Sequence, residues 1–96
     1  MTLEELRAKR QMILDIAARH GASNVRVFGS VARDEAGPDS DVDFLIDVVE
    51  PTRYTWGGGG LLMDLQDLLG CDVDISTETG LHQLIKDRVL QEAVAL

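Results

Sequence analysis

The chain has 96 residues, 45% hydrophobic and 27% charged, the size and balance of one folded unit rather than of a disordered segment. No apolar run nears the roughly 20 residues that cross a bilayer, and the opening "MTLEELRAKR" is too acidic and too polar for a signal or transit peptide. The lone Cys71 excludes an internal disulfide and fits a reducing cytoplasm, while 9 basic against 17 acidic residues, a net charge of −8, argue against sequence-independent binding to nucleic acid or to an anionic membrane.

In chain order, Thr2 and Glu5 have capping-box spacing. Leu3, Leu6, Ile13, Ile16 and Ala17 then fall near one helical stripe, so residues 3–20 are expected to be an amphipathic helix with Gly21 behind its C-terminus. "NVRVFG" is β-branched and alternating, a strand that ends at Gly29. "SVARDE" reads as a short helix with Ser30 at its N-cap. "DVDFLIDV" is a second strand, stopped before Pro51. Leu61, Leu62, Leu65, Leu68 and Leu69 carry a helical period and Gly70 closes it. The glycines 57–60 predict a ragged start, because each costs about 1 kcal/mol against alanine inside a helix. "CDVDIS" is a third strand, and a last helix follows Gly80, running into an extended tail at "VAL". The order predicts an α/β fold, a small sheet of about three strands packed by helices, as one unit over residues 1–96.

Two places carry chemistry. A glycine at the end of a strand lets a ligand approach the backbone, and a helix start beginning at Ser30 offers a hydroxyl and free N–H groups to phosphate, with Arg33 one turn on. Taken alone, this is also an everyday helix cap. On the next strand Asp41 and Asp43 share one face, Val42 and Phe44 the other. Two carboxylates about 6–7 Å apart by strand geometry repel each other and suit a shared cation. All-oxygen ligands favour Mg²⁺ or Mn²⁺ over zinc. Asp72 and Asp74 share a face of the third strand, and one of them completes the cluster if the strands are neighbours. An EF-hand match at Asp39, Asp41, Asp43, Asp47 and Glu50 is rejected. Phe44 stands where the loop needs glycine, and Leu45-Ile46 continues a strand.

These residues resemble the minimal nucleotidyltransferases, small relatives of the DNA polymerase β-type superfamily. The family pattern Gly-Ser-x-Ala-Arg-Gly followed by Ser-Asp-x-Asp is met at Gly29, Ser30, Ala32, Arg33, Ser40, Asp41 and Asp43. "LLGCDVDIST" is similar to the segment that carries the third carboxylate, which falls on Asp74, and "IKDRVLQEAVAL" to the usual ending. Asp34 stands where the family usually has glycine, and Asp72 where a basic residue is common. The resemblance implies a mixed sheet and transfer of AMP from ATP. Asp41, Asp43 and Asp74 would hold two Mg²⁺ ions, and Asp74 would also act as base. Gly29, Ser30 and Arg33 would grip the nucleotide's phosphates.

It further implies an antitoxin whose partner is a helical HEPN-class ribonuclease toxin, modified on a tyrosine. An acidic protein suits docking to such a basic partner better than docking to RNA itself. Larger relatives add a second domain for the acceptor, and a self-associated form stays open. The competing reading is a nucleotidyltransferase-fold module that neutralises the toxin by binding and occlusion. An RNA nucleotidyltransferase is disfavoured by the charge. His20 reads as a C-terminal cap, His82 as a surface residue, Cys71 as packing and Arg53 as a solvated loop charge. Trp56, beside the glycines, leans towards exposure.

Overall fold

The computed structural model describes residues 1–37 and 40–96. Its elements are α1 (Leu3–Ala8), α2 (Arg10–Arg19), β1 (Ala22–Phe28), α3 (Gly29–Ala32), β2 (Val42–Val48), α4 (Gly59–Leu69), β3 (Val73–Thr77), α5 (Gln83–Glu92) and β4 (Val94–Ala95). The sheet runs β3-β2-β1-β4. β1 is antiparallel to β2 and to β4, and β2 is parallel to β3. The parallel pair needs a crossover, which α4 supplies.

Alternation sorts the sheet into two faces. Val25, Val27, Val42, Phe44, Ile46 and Val73 point into a core completed by Leu6, Ile13, Leu61 and Leu65 from α1, α2 and α4. The other face carries Arg26, Phe28, Asp43, Asp47 and Asp74, the residues between them in sequence. Among the described residues no helix is long and apolar enough to cross a membrane. Phe44, Leu45 and Ile46 are buried inside β2, consistent with rejecting a calcium loop. Asp39, part of that match, lies outside the described residues.

Three sequence expectations are modified. The helix over residues 3–20 is interrupted at Lys9, whose φ of −103° and ψ of 14° leave helical geometry. No glycine or proline marks the break, so composition could not announce it. Thr2 does cap the first segment, its Oγ1 accepting the Glu5 N–H at 3.1 Å. Second, the extended tail is a paired strand and not a loose end. Val94 and Ala95 pair with Val27 and Arg26 as a fourth strand, and Arg10 donates to the Leu96 carbonyl at 2.8 Å. A two-residue strand has no pattern of its own; the open edge of β1 creates it.

Third, the glycine run is fitted rather than ragged. Gly57 and Gly58 hold left-handed φ values of +60° and +89° in a single 3₁₀ turn, Trp56–Gly58, and α4 begins at Gly59. A Cβ on Gly58 would meet the Tyr54 hydroxyl, and one on Gly60 would stand 3.0 Å from the His20 ring. His20 is the C-cap residue of α2 through its backbone N–H, and its ring pairs with Asp64 of α4 through Nε2, 2.7 Å from Oδ2. Glycine at these positions lets α4 seat against α2. Trp56, 91% exposed, does stand in solvent. Gly57→Ala, which meets open space, is expected to cost about 1 kcal/mol from its left-handed backbone. Gly58→Ala adds the collision with Tyr54 and is expected to cost about 3 kcal/mol. Urea denaturation of the two variants checks the ranking.

Candidate active site

β1 ends at Phe28, and the chain turns on Gly29 at a φ of +74° into α3. The glycine is required twice, by this left-handed backbone and by its neighbour: a Cβ here would collide with the Asp43 carboxylate. The backbone of the turn is therefore pressed against an acidic side chain across the β1–β2 pair, in which Phe28 stands opposite Asp43. Ser30 is not the cap that the sequence predicts. The N-cap is Phe28, with no side-chain hydrogen bond, and Ser30 lies one residue inside the helix. Its hydroxyl makes no hydrogen bond among the described residues, and first-turn amides have no intrahelical acceptor. The turn still offers donors at its exposed end, from a helix of one turn.

On the far side of β2, the parallel register pairs Asp43 with Asp74. Neighbouring strands are about 4.8 Å apart, and directly opposite residues share a face. Asp41, exposed, lies two positions before Asp43, just ahead of the strand. Burial raises the Asp43 pKa above its ordinary value, and the charges of Asp74 and then Asp41 raise it further, while Arg33 pulls it down. The predicted carboxylates are thus brought to one place, with Asp43 central. Asp72 sits outside β3; its carbonyl accepts the Val42 N–H at 3.0 Å, and its side chain is exposed.

Arg33 closes the α3 turn and is not free. Its Nε donates to Glu35 at 3.0 Å, and its Nη1 donates to both carboxylate oxygens of Glu92 on α5, at 3.0 and 3.1 Å. These partners, Glu35 foremost, raise its pKa. Burial pushes the Glu92 carboxyl up, but Arg33 and Arg88 outweigh it and hold the group below its usual value. Glu92 and Arg88 are residues that sequence reading missed. They fall in the segment matched only as the family's usual ending, and nothing local in "DRVLQEA" says that α5 returns to the Gly29 turn. Asp34, at the family's glycine position, has a φ of +59°. Aspartate is among the few non-glycine residues that tolerate that region, so the departure is absorbed locally.

The donor set fits a hard divalent cation in charge and chemistry. It is all carboxylate oxygen, and the like charges around Asp43 are relieved by a counter-ion. Among the described residues no three acidic, histidine or cysteine side chains form a ready-made cage. Magnesium commonly takes one or two carboxylates and completes its shell with phosphate oxygens and water, so a half-built site suits it. A larger groove of about 390 Å³ lies at the other end of this face, beside Asp47, Tyr54, Thr77 and Glu78. Its two acids are already held by Arg26, at 2.9 and 3.1 Å. It contains none of the predicted residues.

A single-turn phosphate-type loop pressed against a carboxylate cluster on a mixed sheet defines the class. The chain belongs to the family described as "Nucleotidyltransferase domain", which matches residues 9–96. It is 37% identical over 100 residues to Protein adenylyltransferase MntA of Thermococcus cleftensis, covering 98% of this chain and 95% of that one. Among solved structures it is similar to one described as "Structure of putative minimal nucleotidyltransferase", at 49% identity and a TM-score of 0.84, over 100% of this chain and 97% of the other. A second, "Crystal structure of the toxin-antitoxin with AMP-PNP", shares the fold at 18% identity and a TM-score of 0.68, over 88% of this chain and 69% of the other.

The raised Asp43 pKa has a stability consequence of definite sign. Between the unfolded and the higher folded pKa the native state binds the extra proton. The stabilisation is full below the unfolded value and is lost as pH rises through the folded one. Asp43→Asn removes the charge that is disfavoured at neutral pH. Its Tm near pH 7 is expected to exceed wild type by about 4 °C, with the gap closing below the ordinary carboxylate pKa of about 3.9. Thermal unfolding across that range measures it.

Proposed function

We propose that this chain transfers AMP from ATP to a hydroxyl, a tyrosine, of a HEPN-class ribonuclease toxin, and so acts as its antitoxin. The observation that carries the reading is the row of opposed residues Asp74, Asp43 and Phe28-Gly29 across three strands, which puts a carboxylate cluster and a phosphate-type turn in contact. The relative named as a protein adenylyltransferase and the fold neighbour described as a toxin-antitoxin with AMP-PNP support the choice of substrate and partner.

Asp41, Asp43 and Asp74 would hold Mg²⁺, which when bound neutralises charge on the phosphates and on the attacking and leaving oxygens. The chain's own residues then position the reactants. Ser30 and the amides of the turn hold the β- and γ-phosphates, so the α-phosphorus lies over Asp43. Asp74 takes the proton of the incoming hydroxyl as its oxygen attacks. Asp43, already disfavoured as an isolated anion, would keep its charge by pairing with that cation. The acidic surface, net −8, favours a basic partner. Transfer of this kind needs placement and charge compensation more than new covalent chemistry, and a scaffold of 96 residues provides both.

Incubation of wild type, and of an Asp41→Ala/Asp43→Ala variant, with α-labelled ATP, Mg²⁺ and lysate of the native host tests this. Wild type is expected to label one protein, on tyrosine by mass spectrometry, and the variant to fall by at least about a thousandfold. A wild type that binds and silences a toxin without labelling it would replace this reading with occlusion.

A further inference from the structure

Two of the nine basic residues in this acidic chain meet at one groove beside the Gly29 turn. The groove, about 200 Å³, is lined by the apolar Phe28 and Val89, by Gly29, and by Arg33, Arg88 and Glu92. Glu92 joins the two cations. Both of its oxygens accept from Arg33, and Oε1 stands 3.6 Å from the Arg88 Nε one turn earlier on α5. The Arg88 side chain is 73% exposed, and no hydrogen bond among the described residues engages it.

The row of the sheet gives this groove a side. Asp74 flanks Asp43 through β3, and the Gly29 turn flanks it through β1. An in-line displacement sets the attacking and leaving oxygens on opposite sides of the phosphorus. With the hydroxyl arriving on the Asp74 flank, the leaving group departs on the Gly29 flank, into the groove. The bond that forms joins the acceptor oxygen to the α-phosphorus. The bond that breaks runs from that phosphorus to the bridging oxygen, which keeps the electron pair as pyrophosphate departs. Negative charge grows where the two guanidiniums stand.

We propose that Arg88 binds the departing β- and γ-phosphates together with Arg33, and that Glu92 is the positioning residue that aims both arginines. The proposal deepens the AMP-transfer reading and rests on it. Guanidinium forks suit phosphate oxygens geometrically. Glu92 fixes Arg33 by hydrogen bonds and draws Arg88 to the same groove by charge, so less rotamer freedom is left to lose at Arg33 on binding.

Calorimetric titration of the whole chain with AMP-PNP and Mg²⁺, with inorganic pyrophosphate and with AMP tests it, using Arg88→Gln, Arg88→Lys and Glu92→Gln, with thermal unfolding as the check on folding. Arg88→Gln is expected to weaken AMP-PNP and pyrophosphate about tenfold and to leave AMP within about twofold, because AMP lacks both outer phosphates. Arg88→Lys should recover part of the loss, and Glu92→Gln should show the same selectivity at about threefold. Unchanged pyrophosphate affinity in Arg88→Gln, an equal loss for AMP and AMP-PNP, or tighter binding in Glu92→Gln would overturn the inference. So would a wild type that binds neither pyrophosphate nor AMP-PNP. A wild type that holds pyrophosphate through Arg88 yet labels no protein would leave the inference standing and sink the transfer reading instead.

Discussion

Everything at this site depends on the parallel register that sets Asp43 beside Asp74. Two like charges at that spacing, open to water on the Asp74 side, oppose folding by an amount on the order of 1 kcal/mol. The core keeps them together. Val42, Phe44 and Ile46 on β2, and Val73 on β3, are buried on the opposite face, and each fully buried apolar side chain contributes about 1.5–3 kcal/mol. A slip of one residue would send Val73 to solvent and Asp74 into the core. The hydrophobic alternation that builds the sheet therefore also fixes the carboxylates, and no dedicated device is needed to hold them.

A second constraint comes from the other side. Gly29 has no side chain because Asp43 occupies that space, so the turn and the cluster were shaped as one feature. The α3 segment that follows is a single turn, too short for its dipole to matter greatly. What it contributes is a set of amides at a fixed place, held by Arg33 to α5. The terminal helix thus takes part in a site whose motif lies some sixty positions earlier. Its short β4 extension, paired with β1, anchors it to the same sheet.

Much of this was legible in the residues. The alternation in "DVDFLIDV" and "CDVDIS" announced both strands and the face of each aspartate, because a period of two leaves little freedom. The Gly29 turn was readable too, since glycine after a strand has few other uses. What was hidden is whatever depends on distant chain. The cap at Phe28 rather than Ser30, the clasp of Arg33 by Glu92, and the fourth strand at Val94 all arise from contacts that no local window contains. Helix propensity alone makes the glycine run look ragged. Its sense lies in Tyr54 and His20, which reach the run from outside it.

The most direct test of the central claim is a crystal structure of the chain with AMP-PNP and Mn²⁺, whose anomalous scattering marks the metal without interpretation. Manganese is expected on the oxygens of Asp41 and Asp43, with the β- and γ-phosphates against the Gly29–Ser30 turn. Nucleotide seated instead in the groove beside Asp47 and Glu78, or manganese remote from Asp43, would contradict it.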